Sequence, residues 1–227
     1  MKNFMQFSPA NNEFDELERQ LSCPVGEKGV EVGENMLKSN ISMIEATIHQ
    51  MEVLEGQHIL ELGHGNGGHV PDLLEKDPSL TYKGVEVSEV MHLEAQRQNQ
   101  QFIDSGQASF SLYDGKILPF SDGSFHKIFT VNTLYFWEDP AKLLEELYRV
   151  LKPGGDCLLT YCQKDFMQKI PFVGERFSLY DTQDIRQLIA DAISSPLDIE
   201  VVDKRERVKS KSGDMVDREY SILRFSK

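Results

Sequence analysis

A loop with four glycines in six residues constrains the fold of this chain more than any other feature of its sequence. The apolar run HILEL at 58–62 leads directly into Gly63, Gly65, Gly67 and Gly68. Glycine adopts positive φ without steric cost and allows a ligand to approach the backbone closely. In open parallel sheets, ligands bind at the carboxyl ends of the strands, where such loops lie. We therefore predict a ligand site at this loop.

Downstream of the loop, strand-like and helix-like segments alternate along the chain. Short apolar runs predict strands at 58–62, 81–87, 108–114, 125–132 and 155–162. The stretches beside them predict helices at 68–77, 89–103, 139–151 and 182–192, the second of them capped by Ser88. Strands separated by helices pair in parallel through right-handed crossovers.

The C-terminal part of the chain departs from this alternation. Two strand-like runs, 197–208 and 218–226, flank a short connection that includes the turn sequence KSGD at 211–214, which predicts an antiparallel hairpin. The predicted fold is therefore α/β. It is a doubly wound seven-stranded sheet, mostly parallel, with a C-terminal antiparallel hairpin and helices on both faces.

The chain shows no internal repeat and no Pro- or Ser-rich linker, so we predict one domain over residues 1–227. Its core is expected at 53–227. The preceding segment, 1–52, has helical character, with apolar residues mostly on one side, namely Val32, Met36, Ile41, Ile44, Ile48 and Met51. This segment is either a helical cover of one sheet face or a lid over the ligand site.

Charge and composition exclude several classes of protein. The net charge of −13 disfavours a nucleic-acid partner, which a basic surface would attract. The one basic stretch, 204–211, is interpreted as the solvated part of an edge hairpin. No apolar run is long enough to span a membrane, and the N-terminus lacks a secretory signal, so we expect a cytoplasmic protein, as monomer or homodimer.

The three cysteines give no sign of a metal site. Cys23, Cys157 and Cys162 form no C-x-x-C pair, so neither a disulfide framework nor a zinc site is expected. Cys157 and Cys162 fall in an apolar run and are interpreted as small core residues.

Two carboxylates help to identify the ligand of the glycine loop. Glu61 lies two residues before Gly63, where it would repel a pyrophosphate and attract a cationic ligand such as S-adenosylmethionine. Glu86 ends the second predicted strand, where a carboxylate can accept two hydrogen bonds from ribose hydroxyls. Asp114 and the Gly115 amide, after the third strand, can contact an adenine edge. S-adenosylmethionine and an adenine dinucleotide share those nucleoside features.

Two further motifs complete a resemblance. Leu118-Pro119-Phe120 with Asp122 and Ser124-Phe125, followed by RVLKPGG at 149–155, stand in the same order and spacing as in one branch of the class I S-adenosylmethionine-dependent methyltransferases. The sequence resembles that family over about half of its length, and other stretches are similar to stand-alone bacterial members. The resemblance implies a Rossmann-like fold and S-adenosylmethionine as cofactor, with S-adenosylhomocysteine as product.

The resemblance also implies roles for individual residues. Glu61 and the amides around Gly63, Gly65 and Gly67 would hold the methionine part, and Glu86 the ribose. The adenine would contact Val87, Met91, Asp114 and Gly115, while Asn132 would lie near the sulfonium. His64, Glu86 and His126 depart from the residues most common at their positions in the family. His64 is expected to contact cofactor or substrate, or simply to fill space.

The methyl acceptor is less well defined. Tyr135, Phe136 and Trp137 follow the fourth predicted strand, so they are expected either to line an acceptor pocket or to pack under a lid, with Tyr135, Trp137 and His64 as the pocket candidates. His69, Tyr161 and Tyr180 are secondary candidates, and no residue is identified as a catalytic base. We predict a methyltransferase for a small molecule. The alternatives are an NAD(P)-dependent oxidoreductase, based on the G-x-G-x-x-G match, and a nucleoside-binding module without catalysis.

Overall fold

The strand order places the glycine loop at the centre of one sheet. The computed structural model describes residues 9–209 and 215–227, and the predicted turn at 211–214 lies outside them. The sheet has the order β3-β2-β1-β4-β5-β7-β6. Its strands are β1 His58–Leu62, β2 Thr81–Glu86, β3 Ala108–Leu112, β4 Phe125–Val131, β5 Leu151–Cys162, β6 Ile199–Lys209 and β7 Met215–Ser226.

Strands β1 to β5 pair in parallel, whereas β7 is antiparallel to both β5 and β6. The predicted mostly parallel sheet with a C-terminal hairpin is thus confirmed. The chain order reverses between the neighbours β1 and β4, so a crevice opens at the carboxyl ends of these strands. The glycine loop, which follows β1, lies at this crevice.

Besides a 3₁₀ turn at Leu134–Phe136, eight α-helices accompany the strands in the described residues. They are α1 Pro9–Ser22, α2 Gly26–Gln50, α3 Val70–Leu74, α4 Glu89–Gln98, α5 Gln100–Asp104, α6 Pro140–Val150, α7 Lys164–Met167 and α8 Thr182–Ala192. Local sequence explains several boundaries. Ser88 caps α4 as predicted, and Asp139 caps α6, in which Pro140 occupies the first turn.

The N-terminal helix α2 is tied to the sheet and to the hairpin. The Thr47 hydroxyl on α2 lies 2.7 Å from that of Thr160 on β5. The buried Arg218 on β7 donates to Ser39 O at 2.6 Å and to Ser42 Oγ at 3.0 Å, and it also pairs with Glu206 on β6. These contacts anchor α2 to the hairpin at Ser39 and Ser42 and to the sheet at Thr47.

The hairpin forms the charged edge of the sheet, as predicted. Arg205 on β6 pairs with Asp217 on β7, and Glu200 pairs with Arg224. Within the basic stretch, Arg205 is thus paired with a residue of opposite charge on the neighbouring strand. Cys157 and Cys162 are buried, in agreement with their interpretation as core residues. No helix in the described part of the chain has the length and apolar character needed to cross a membrane.

Candidate functional site

The carboxyl ends of β1, β2 and β4 enclose a cavity of about 130 Å³. A smaller cavity of about 40 Å³ adjoins it. Both are lined by Met36, Gly63, Gly65 and Val131. The larger cavity also contacts Leu21, Ser22, Pro24, Glu86, Val87, Met91, Tyr113, Gly115, Asn132, Thr133, Phe136 and Trp137, and the smaller one Gly33, Leu37, Ile44, Glu61, His64, Asn66 and His69.

The glycines of the loop have different structural tasks. Gly63 has φ +73°, and a Cβ there would lie 2.4 Å from Thr133 Cγ2. Gly65 has φ +56°, and no heavy atom of a non-adjacent described residue lies within 4 Å of its Cβ position. Gly67 packs against α4 instead, with Ala95 Cβ 3.0 Å from its Cβ position, and it lines neither cavity. Gly65 thus leaves open space beside the backbone, whereas Gly63 and Gly67 make room for Thr133 and α4.

Glu86 is buried at the end of β2 and is held by three backbone amides. Its Oε1 accepts from Val87 N at 2.8 Å and Ser88 N at 3.1 Å, and its Oε2 accepts from Gly65 N at 3.1 Å. Burial raises the pKa of Glu86, although these amide bonds act in the opposite direction. A carboxylate offers about four acceptor positions, so one position on Oε2 remains for a ligand hydroxyl. Two ribose hydroxyls can both donate to Glu86, as expected from the sequence, only if one of the three backbone amides loses its hydrogen bond to the carboxylate.

Glu61 belongs to a buried polar network beneath the loop. Its Oε2 accepts from the Tyr82 hydroxyl at 2.6 Å and lies 2.7 Å from His69 Nε2. Its Oε1 accepts no hydrogen bond from a described residue, so this oxygen is available to a donor. His69 Nδ1 is buried without a partner in the described structure. The arrangement presents acceptors and negative charge, which suit an ammonium group.

His64 points beneath the loop rather than into the larger cavity. Its Nδ1 donates to Gly65 O at 2.7 Å, and its ring packs edge-to-face on Phe110. A Cβ on Gly84 would lie 2.5 Å from His64 Cδ2, so glycine at that point of β2 makes room for the ring. Burial lowers the pKa of His64 to about 4, which keeps the imidazole neutral. The geometry favours the space-filling interpretation.

The predicted adenine contacts are partly assembled. Val87, Met91 and Gly115 line the larger cavity, together with Tyr113. Asp114 is exposed and lines neither cavity in the described structure. Its Oδ1 accepts from Lys116 N at 2.8 Å and Ile117 N at 2.9 Å, and these amide bonds lower its pKa. Its role in reading adenine stays a prediction.

Asn132 and Tyr135 form a network that faces α2. Asn132 has the left-handed φ of +58°, and its Nδ2 donates to Asn40 Oδ1 at 3.1 Å. The Tyr135 hydroxyl donates to Asn132 Oδ1 at 3.1 Å and accepts from Cys162 N at 2.6 Å. Tyr135 is buried by these contacts and does not line either cavity. Asn132 does line the larger one.

Phe136 and Trp137 form the aromatic wall of the larger cavity. The Trp137 Nε1–H donates to Thr133 Oγ1 at 3.1 Å, and Thr133 Oγ1 lies 2.5 Å from Thr130 Oγ1. Thr130 in turn donates to Leu62 O at 2.8 Å. This chain of hydrogen bonds uses the only polar atom of the indole, so its carbon surface is what meets the cavity.

Several lining residues are absent from the predicted site. Leu21 and Ser22 end α1, and Pro24 lies in the α1–α2 connection, where its carbonyl accepts from Ser88 Oγ at 2.6 Å. Sequence spacing gives no signal for this contact, because 64 residues separate its partners. Thr133 has a signal, since it directly follows Asn132 at the end of β4. No group of three or more His, Cys, Asp or Glu side chains in residues 9–209 and 215–227 can hold a metal ion.

Comparison with known proteins points to the same region. A family described as "Methyltransferase domain" matches residues 60–159, from β1 to β5. The uncharacterized methyltransferase YdaC of Bacillus subtilis is 30% identical over 126 residues, which make up 55% of this chain and 67% of YdaC.

A second relative is similar over more of the chain. Phthiotriol/phenolphthiotriol dimycocerosates methyltransferase 1 of Mycobacterium ulcerans is 28% identical over 207 residues, 87% of this chain and 68% of that protein. The chain spans 18 to 59% of the length of six other curated relatives.

A solved structure is similar in fold. Phosphoethanolamine N-methyltransferase 2 of Haemonchus contortus, in complex with phosphomonomethylethanolamine and S-adenosylhomocysteine, is similar with a TM-score of 0.63 and 18% identity. The similarity covers 82% of this chain and 53% of the nematode chain. At this identity the likeness concerns the fold.

Proposed function

Because the chain belongs to the class I S-adenosylmethionine-dependent methyltransferases, we propose that it methylates a small-molecule acceptor by in-line displacement. The enzyme class and the cofactor follow from the family. The acceptor and the mechanism are our proposal. The observation that carries it is the cavity in which the buried Glu86 at one end and Phe136 and Trp137 at the other are brought together.

The residues around the two cavities fit S-adenosylmethionine. Glu86 keeps one acceptor position for a ribose hydroxyl, and Val87, Met91 and Gly115 offer surface for adenine. Glu61 Oε1 suits the α-ammonium group, since its partner oxygen already holds His69 and Tyr82. Gly65 permits the close backbone approach that the methionine part requires. A pyrophosphate would meet the Glu61 carboxylate, which disfavours the nicotinamide dinucleotide alternative.

In the proposed reaction, the reactive group comes from the cofactor rather than from the protein. When bound, S-adenosylmethionine supplies an activated methyl group on its sulfonium. The chain positions the reactants and excludes water, so that attack occurs in line with the breaking bond. Asn132 and Thr133, fixed at the end of β4, would define one wall beside the sulfonium. Phe136 and Trp137 would orient the acceptor.

A small acceptor is supported by the size and the lining of the site. The larger cavity holds about 130 Å³ between the strand ends, the end of α1, the α1–α2 connection and α2. None of the described residues that line it is Lys, Arg or His, so nothing there would pair with a nucleic-acid phosphate. The similar nematode structure holds a small molecule, although that observation applies to that protein.

We further propose that 1–227 works as one methyltransferase domain and that α2 acts as a lid. The cavities, about 130 and 40 Å³, are smaller than the roughly 300 Å³ or more typical of sites for drug-sized ligands. Met36 on α2 lines both of them, and Asn40 contacts Asn132. S-adenosylmethionine is a ligand of drug-like size, so its binding requires α2 to move away from the site and to close again.

Calorimetric titration with S-adenosylhomocysteine, NAD and NADP tests the cofactor part, with Glu86→Ala as the variant. We expect binding of the first ligand only, and loss of that binding in the variant. A panel of small acceptors with S-adenosylmethionine then tests the transfer. Tight cofactor binding without turnover of any acceptor would favour the non-catalytic nucleoside-binding module instead.

A further inference from the structure

Among the described residues, the side-chain hydrogen-bond donors at the acceptor end of the larger cavity are all engaged, and this restricts what the site can methylate. The Trp137 N–H is bonded to Thr133, and the Ser22 hydroxyl donates to Arg19 O at 2.8 Å. The Asn132 amide is engaged by Asn40 on one side and Tyr135 on the other. What remains for an acceptor is aromatic and aliphatic surface, supplied chiefly by Met36, Phe136 and Trp137.

The same cavity offers no group for an acceptor proton. Its only titratable lining residues, among those described, are Glu86 and Tyr113. Both lie at the proposed nucleoside end, and three amides already occupy the Glu86 carboxylate. The adjoining cavity contains Glu61, His64 and His69, beneath the glycine loop and bonded to one another or to the backbone. With no cationic side chain in the lining, an anionic acceptor also lacks a partner.

We propose that the acceptor is a neutral nucleophile that loses no proton, namely a heteroaromatic ring nitrogen of the pyridine type. This inference rests on the proposed methyl transfer. The acceptor lone pair forms the new N–CH₃ bond while the S–CH₃ bond breaks and its electron pair returns to sulfur. The positive charge moves from sulfur to nitrogen, and no base is needed. Phe136 and Trp137 stabilise that cation through their π surfaces.

Matched probes of one shape test the acceptor class. With S-adenosylmethionine present, isoquinoline should yield N-methylisoquinolinium, detected by mass spectrometry, whereas 2-naphthol, 2-naphthalenethiol and 2-naphthoate should be poor acceptors. In the complex with S-adenosylhomocysteine, N-methylisoquinolinium should bind more tightly than its neutral isostere 2-methylnaphthalene. Equal binding of the two, or faster methylation of the naphthol or thiol, overturns the proposed class.

A second test uses variants of the aromatic wall formed by Phe136 and Trp137. Trp137→Leu should reduce the preference for the cation over its isostere by about 2- to 30-fold. Trp137→Phe should retain most of it, and Tyr148→Leu on α6 is the matched control outside the cavity. Retained binding of S-adenosylhomocysteine shows that each variant is folded. An unchanged preference in folded Trp137→Leu overturns the role of the aromatic wall.

A pH profile separates this inference from base catalysis. The rate with isoquinoline should follow only the titration of isoquinoline itself. An additional acidic limb that His69→Gln removes would assign a base to the enzyme and overturn the inference, while small-molecule methylation would stand. If folded enzyme binds the cofactor but methylates only protein or RNA, the proposed function itself fails.

Discussion

At the end of β2, the Glu86 carboxylate connects the glycine loop to the proposed ribose site. Replacing it by Gln removes the charge and turns one of its acceptors into a donor that faces backbone amides. We expect Glu86→Gln to weaken S-adenosylhomocysteine binding about 10- to 100-fold, the range for a hydrogen bond to a charged group. Calorimetry measures this, with the exposed Glu89→Gln as the control. Equal weakening in both variants would contradict a specific role.

His64 offers a prediction about stability and pH. Its pKa in the folded protein is about 4, below the ordinary value of 6.5, because the ring is buried. The contribution of the neutral ring to the free energy of unfolding is therefore fully present above pH 6.5 and is lost as the pH falls towards 4. The size of this loss is about 3 kcal/mol, from the linkage between pKa and stability.

Urea unfolding between pH 7 and 4 tests this contribution in wild type and His64→Gln. The difference between the two free energies of unfolding should narrow by that amount as the pH falls, because Gln does not titrate and can still donate to Gly65 O. A pH-independent difference would show that His64 does not stay neutral in the folded chain.

The place of a residue in the fold was predictable from sequence where its position along a strand alone decides it. Glu61 and Glu86 end parallel strands, and the ends of neighbouring parallel strands meet at one edge of the sheet. The direction of Tyr135 was not predictable in the same way. It depends on the left-handed turn at Asn132 and on a long-range bond to Cys162 N, which no local pattern encodes.

At the scale of elements, Arg218 joins the C-terminal hairpin to α2. Its guanidinium is almost fully buried between Glu206 and the Ser39 and Ser42 oxygens. Arg218→Met keeps the aliphatic stem but leaves Glu206 without its partner. Removing one partner of a buried pair costs about 3 to 5 kcal/mol, and Glu206 keeps some access to solvent, so we expect about 3 kcal/mol.

The matched control lies on the same hairpin. Arg205 pairs with Asp217 and Glu219 but is 66% exposed, so Arg205→Met should cost less than about 1 kcal/mol. Urea unfolding of both variants provides the comparison. A similar small effect at both positions would mean that Arg218 does not anchor α2.

The helices that the sequence predicted best have their own start signals. Ser88 and Asp139 cap α4 and α6, and the apolar stripe of α6 is buried as its spacing indicates. The α1–α2 connection had no such signal. Its place over the cavity is determined by the Ser88–Pro24 bond and by packing of Gly33 on Met91, and these are tertiary contacts.

For the whole molecule, the open question in the sequence was whether the N-terminal segment is a cover or a lid. Helix α2 contacts both regions in the described structure, since Thr47 binds the sheet while Met36 and Asn40 reach the cavity and the end of β4. Motion confined to the N-terminal half of α2 would reconcile these roles. The half near Thr47 would then stay packed on β5.

Hydrogen exchange can test that division along α2. Saturation with S-adenosylhomocysteine should slow amide exchange in residues 26–40 more than in residues 43–50, because only the first half must open for entry. A ligand at 100 times its Kd stabilises the whole folded chain by about 2.7 kcal/mol. The slowing of exchange that all parts of the chain share is therefore the reference against which the two halves of α2 are compared. Equal slowing in both halves would indicate that α2 opens as one unit, and slowing in neither half would contradict the lid.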